Sequence, residues 1–475
     1  MIIEDAIKRI DENKAEMISS LSALISVPSI ALDEGTAEAP FGENVAGVYE
    51  YMMNLAAKEG FLTFNADNYG GHIDFKGSGS GIAAVIGHLD VVPEGDGWDF
   101  DPYGGEVKDG YICGRGATDD KGPVIASFYA MKALRECGYT PKRTIRLILG
   151  LDEETNWYGM DYYVSHVDRL PDFGFTPDAD FPAINGEMGI LIFDIVRKFD
   201  AAGNKGLELS SLKGGTAANS VADYARAVLH DSTGAGYDRI KQQLAAFREE
   251  KGCRINCKGI GKSFEIVSHG VSAHGAYPEQ GVNAISIMME FLGRLNFANE
   301  STNDFLRFYN EHIGYDLHGE RAGCAFEDSQ SGKLIFNVGM IALDKKTAQL
   351  TVNIRYPVTM DEDTVYGGLM TVLGRFDLGI VKNQHQEPIY MPADSPLITK
   401  LMDIYRKHTG DESCEPVVIG GGTYARAMDN IVAFGAKFPE REELAHQKNE
   451  KLSIDDLVKM AQIYAEAIYE LSEME

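Results

Sequence analysis

Val85-Ile86-Gly87-His88-Leu89-Asp90-Val91-Val92-Pro93 is the stretch on which the fold turns. Residues 81–88 read as a buried strand. Instead of turn residues, that strand ends in a histidine with an aspartate two places on, groups suited to binding and orienting a metal ion. A second apolar run, Arg143-Thr144-Ile145-Arg146-Leu147-Ile148-Leu149-Gly150-Leu151, ends in Asp152-Glu153-Glu154. Between them residues 121–137 read as a helix of small and apolar side chains. Strand, helix and strand with nearly continuous apolar strands predict an α/β fold with a parallel or mixed sheet, covered on both faces. In such sheets functional groups gather at the carboxyl ends of strands.

Working outward, residues 3–26 predict an amphipathic helix that stops before Val27-Pro28, and 43–59 a second. After Gly186 the character changes. A strand is expected at 189–198, helices near 217–230 and 235–250, a strand at 263–268, and a helix at 281–296. Strands at 333–342 and 347–356 flank the hairpin tip Asp344-Lys345-Lys346. Beyond 385 come a helix at 396–409, the glycine-rich Ile419-Gly420-Gly421-Gly422-Thr423, an apolar run near 431–436 and a last helix at 453–472. The expected organisation is a catalytic domain in two parts, residues 1–186 and 385–475, with an α+β lid domain, 187–384, inserted between them.

At 475 residues the chain exceeds the usual size of a single core. Hydrophobic residues make up 44% and charged residues 24%, a globular balance. A net charge of −28 disfavours nucleic acid and anionic membranes as partners. No apolar run reaches membrane-spanning length, and the N-terminus lacks the pattern of a signal peptide. Six scattered cysteines do not form a disulfide framework. A cytoplasmic location is expected.

Asp90, Asp119, Glu153, Glu154 and Asp178 would bring five negative charges together, each raising the others' pKa in a low-dielectric cleft. Two divalent cations would leave a net charge of about −1. Histidine with carboxylates and no thiolate suits zinc, manganese or cobalt better than calcium. Taken singly, each element has a plainer reading. His88-x-Asp90 is more often an ordinary loop pair, Asp152-Glu153-Glu154 a helix start, Asp119-Asp120 a turn and cap, and Asp178 a turn aspartate.

Four motifs in order resemble the M20 metallopeptidase family, and within it the bacterial PepV-type dipeptidase branch. Gly87-His88-Leu89-Asp90-Val91-Val92-Pro93 is similar to its G-H-x-D-V-V-P signature. Gly114-Arg115-Gly116-Ala117-Thr118-Asp119-Asp120-Lys121-Gly122 is similar to G-R-G-x-x-D-D-K-G. Asp152-Glu153-Glu154 resembles its D-E-E step, and the run from Gly270 through His274, Pro278 and Gly281 to Asn283-Ala284 its lid motif.

The resemblance implies a dipeptidase that hydrolyses dipeptides with free termini through a metal-activated water and a glutamate general base. It implies two divalent ions per chain, zinc with manganese or cobalt as alternatives. Its metal ligands would be His88, Asp119 bridging both ions, Glu154, Asp178 and His446. Asp90 would orient the His88 ring, and a cis peptide is expected after Asp119. Glu153 would be the general base and His274 the oxyanion donor, with His269 as its rival. Asn219, Arg355, Gly421 and Arg426 would contact substrate, Arg355 through its guanidinium fork and Gly421 through backbone N–H groups. Each also has a structural reading. The large lid implies a monomer that supplies His274 in cis, and lid closure would exclude water. An amidohydrolase of N-acyl amino acids and a catalytically silent metal-binding protein are the alternatives.

Overall fold

The computed structural model describes residues 2–200, 206–231, 236–261 and 263–474. The chain divides into two compact units. One comprises Met1–Asn185, Met391–Val417 and Gly422–Glu475; the other comprises Gly186–Tyr390 and Val418–Gly421. The architecture is mixed α/β, with the second unit inserted into the sequence of the first. Val418–Gly421, read from the sequence as part of the catalytic domain, belongs instead to the inserted unit.

In the first unit the sheet runs in the order Leu62–Asn65, Gly71–Phe75, Thr144–Gly150, Ile82–His88, Phe173–Thr176, Ile431–Phe434 and Ala183–Glu187. Its four middle strands, from Thr144–Gly150 to Ile431–Phe434, are parallel, while the outer pairings are antiparallel. Every residue of Ile82–His88 and Thr144–Gly150 is buried, as two covered faces require. Helix Lys121–Glu136 is buried from Lys121 through Leu134. Helices Ile2–Glu12, Lys14–Ile25 and Ile454–Glu473 pack against it. The single helix expected over 3–26 is thus two, divided at Asn13.

Register sets the site. His88 stands opposite Gly150, and Ala433 opposite Thr176. The four parallel strands therefore end on one side, delivering His88, Asp152–Glu154, Asp178 and the segment after Phe434 to a common rim. Gly87 is required there: a Cβ would lie 2.6 Å from Asp120 Oδ2, the oxygen that accepts a hydrogen bond from His88 N at 3.0 Å.

The second unit is an eight-stranded antiparallel sheet. Its order is Arg254–Ile260, Ser263–His269, Tyr224–Asp231, Leu207–Gly214, Ile335–Asp344, Thr347–Tyr356, Gly189–Lys198 and Gly379–Gln386. The hairpin tip forms as expected, with Asp344 Oδ1 accepting from Lys346 N and Thr347 N at 2.7 and 2.8 Å. The helix expected over 217–230 is absent: Tyr224–Asp231 is a strand. Ala225, Ala227 and Leu229 face inward with no exposure, in the core that also takes Ile285 of helix Ala284–Leu292. Small alanines that suggested a helix instead let a helix lie close to the sheet. Among the described residues no helix is long and apolar enough to cross a membrane.

Candidate active site

His88 and Asp90 are fully buried at the end of their strand. His88 Nδ1 lies 3.0 Å from the backbone carbonyl of Asp90 and 3.4 Å from its carboxylate. That carboxylate is also engaged elsewhere: Oδ1 accepts from Glu153 N at 3.1 Å and Oδ2 from Glu154 N at 3.0 Å. Asp90 thus fixes both the histidine and the loop carrying the two glutamates. Asp152, buried, accepts twice from Gly159 N, at 3.1 and 3.0 Å, anchoring the far side of the same loop.

Asp119 stands between the two imidazoles. Its Oδ1 is 3.0 Å from His88 Nε2, and its Oδ2 is 3.0 Å from His446 Nε2. On the His88 side, Asp178 Oδ2 is 3.7 Å from the same Nε2. On the His446 side, Glu154 Oε1 is 2.9 Å from His446 Nε2. Two groups of ligand atoms within 4.8 Å of one another result: His88, Glu153 and Asp178, and His88, Asp119 and Glu154. The peptide bond from Asp119 to Asp120 is cis.

These separations test the fit to a metal. Two ligands about 2.0–2.1 Å from one tetrahedral zinc lie roughly 3.3 Å apart. The observed spacings of 2.9 to 3.7 Å bracket that edge. Imidazole and carboxylate donors match the preference of borderline divalent ions. The residues fit a dinuclear-type centre, with Asp119 shared by both halves.

Electrostatics points the same way. Burial and the Asp178 charge push the Glu153 carboxyl well above its ordinary range. Burial and Asp119 raise Glu154 to about 7 and Asp178 to about 6. Burial opposes charge on His446, but Asp119 and Glu154 outweigh it and raise the imidazole to about 11. Without cations this cluster holds protons that ligands must give up, so metal affinity rises with pH across this range.

A cavity of about 280 Å³ reaches Asp119 and Asp178, with Phe438, Leu444 and Leu452 among its walls.

In the second unit, Ser220 and His274 form an antiparallel bridge, and Gly275 N donates to Asn219 O at 2.7 Å. A Cβ on Gly420 would lie 3.2 Å from Ala276 Cβ and 3.7 Å from Arg355 Cγ. Asn219, His274, Arg355 and the Gly420-Gly421 run are therefore neighbours. Asn219 and His274 are exposed, whereas Arg355 is buried, its Nε donating to Asn353 Oδ1 at 3.0 Å. His269 lies at the exposed end of its strand, its ring 5.6 Å from that of Tyr224. Arg426 belongs to the first unit, half-buried in the short turn Tyr424–Ala427.

Sequence reasoning missed two residues of the first unit. Tyr424 is fully buried, its ring edge-on to His88 with centroids 6.4 Å apart. Gly150 makes room for it, since a Cβ there would collide with the tyrosine ring. Glu450, also fully buried, accepts from Arg115 Nη1 at 2.7 Å and from Thr118 N at 2.8 Å. A glutamate four residues beyond a candidate ligand was the only signal for the second.

Comparison with known proteins agrees with this geometry. The chain is 36% identical over 471 residues to a protein of Lactobacillus delbrueckii subsp. lactis named Beta-Ala-Xaa dipeptidase, with 98% of each chain covered. Among solved structures, human carnosine dipeptidase 1 has a TM-score of 0.60 at 16% identity, covering 100% of this chain and 99% of that one. The dipeptidase Dug1p of Saccharomyces cerevisiae has a TM-score of 0.59 at 14% identity, covering 99% of each. Those two likenesses concern the fold. Residues 84–470 match the sequence model of Peptidase family M20/M25/M40. With that match, and with a relative so similar along nearly its whole length, the chain belongs to peptidase family M20/M25/M40 and is a hydrolase acting on peptide bonds.

Proposed function

We propose that the chain is a dinuclear metal-dependent dipeptidase that cleaves dipeptides with free amino and carboxyl termini. The observation that carries this reading is Asp119 lying 3.0 Å from each of two imidazoles, His88 and His446, with Glu153 alongside. The relative named Beta-Ala-Xaa dipeptidase supports the substrate class.

In this reading His88, Asp119 and Asp178 hold one cation, and His446, Asp119 and Glu154 the other, zinc by preference and manganese or cobalt as substitutes. A bound pair of divalent ions supplies Lewis acidity that lowers the pKa of water toward neutrality and polarises the scissile carbonyl. Glu153 accepts the proton of the attacking water and delivers it to the leaving amine. Asp90 keeps the glutamate loop in place through its two backbone N–H bonds. In the second unit, His274 is assigned as an N–H donor to developing oxyanion charge, and Asn219, Arg355 and Gly421 as substrate contacts. Arg426 is assigned to substrate as well.

Purified protein loaded with zinc or manganese tests the substrate class on three panels: alanyl and β-alanyl dipeptides, tripeptides, and N-acetyl amino acids. Free dipeptides are expected to exceed both other panels in kcat/KM by at least about 100-fold, because a site built to hydrogen-bond a group discriminates strongly against its absence. Preference for N-acetyl amino acids would instead make the chain a deacylase. Inactivity on all three panels with two ions bound would make it a silent metal-binding protein.

A further inference from the structure

The two histidines of the centre are held by different means. His88 has a partner on its second ring nitrogen: Nδ1 lies 3.0 Å from the Asp90 carbonyl. The ring is buried and sits at the end of a central strand. His446 is half exposed and lies in a loop, with φ of 61°, a conformation non-glycine residues rarely adopt unless their surroundings impose it. Its described contacts are those of Nε2 with Asp119 and Glu154. Its position must therefore come from the backbone that carries it.

That backbone is stitched down just beyond the histidine. Glu450 receives Arg115 Nη1 at 2.7 Å on Oε2. Its Oε1 receives Thr118 N at 2.8 Å, Thr118 Oγ1 at 2.9 Å and Asp119 N at 3.4 Å. Arg115 Nη1 also donates to Gln447 O at 3.3 Å, one residue after the histidine. Asn449, φ 64°, exchanges two hydrogen bonds with Asp99, both 2.8 Å. Lys451 then pairs with Cys113 in a short antiparallel strand. One buried carboxylate thus fastens the His446 segment directly to the backbone of Asp119, across more than three hundred residues of chain.

We infer that Glu450, clamped by Arg115, is the positioning residue that sets His446 against Asp119 and so builds the second of the two cation sites, an inference that rests on the cation sites proposed above. It replaces, through the backbone, the orienting bond that a metal-ligating histidine ordinarily makes with its second nitrogen. The His88 ring has its own orienting bond, so Glu450 reaches the first site only through the backbone of the shared Asp119.

The test is zinc titration of metal-free protein by calorimetry, with wild type, Glu450→Gln, Thr118→Val, His446→Ala and the His446→Ala/Glu450→Gln double variant. Wild type is expected to take two ions. Glu450→Gln should weaken the His446 site by about 10–100-fold, the usual cost of losing an outer-shell partner, and the His88 site markedly less. Thr118→Val, nearly isosteric and lacking only the hydroxyl donor, should weaken the His446 site to a lesser degree; it decides the matter if Glu450→Gln does not fold. The double variant should bind no more weakly than His446→Ala alone, since both changes act through one ligand. Equal weakening of both sites, no change at either, or additive losses in the double variant would overturn the inference. Wild-type protein that takes fewer than two ions would overturn the cation sites themselves, and this inference with them.

Discussion

Glu153→Ala is expected to lower kcat by about 10²–10⁴-fold, the range a positioned general acid–base contributes, with two cations still bound per chain. The carboxylate lies within 4.8 Å of ligand atoms of His88 and Asp178, close enough to serve either as a base or as a ligand. The two roles separate in the variant. A base leaves the ions in place when removed, and KM changes little because the group acts only as the proton moves. A ligand takes an ion with it. The loop geometry favours the first role, since Asp90 holds Glu153 N and Glu154 N through different oxygens, and Glu154 alone of the two meets His446. Metal analysis of the purified variant beside its kcat decides, and a stoichiometry that falls from two to one would make Glu153 a ligand.

Asp119→Ala should be more damaging still. Among the described residues Asp119 alone contacts both imidazoles, one through each oxygen. Removing it takes a ligand from each proposed cation at once. Affinity is expected to fall at both sites by more than the roughly 10–100-fold that outer-shell changes cause, and turnover to fall below detection at micromolar zinc. Asp178→Ala is the informative contrast, because it touches only the His88 side and should cost one ion. Zinc titration of the two variants distinguishes a bridging carboxylate from a merely adjacent one; equal loss in both would remove the bridge from the mechanism.

Much of this was legible in the sequence because the parallel strands are buried on both faces. Continuous apolar runs such as Ile82–His88 and Thr144–Gly150 then end abruptly in charge, which marks the functional rim. Helices with strong periodicity, such as Pro396–Thr409 and Ile454–Glu473, fell within a residue of their expected bounds. The failures have physical causes. Tyr224–Asp231 is alanine-rich because a helix packs closely over it, and its alternating burial is hidden where the inward residues are small. The strands Leu62–Asn65 and Gly71–Phe75 are short and only partly buried, too weak to signal. The second task of Asp90, holding two backbone N–H groups, and the clamp at Glu450 are tertiary contacts between distant segments, to which local pattern is blind. The clustering of Asn219, His274 and Arg355 with Gly420 likewise depends on pairing across the inserted sheet.

The central claim is that residues from both ends of the chain surround a pair of divalent ions. Anomalous diffraction from crystals grown in saturating zinc tests it directly. Two peaks about 3.5–4 Å apart are expected, one between His88 and Asp178 and one between His446 and Glu154, with Asp119 between them. A single peak, or zinc bound away from Asp119, would contradict it.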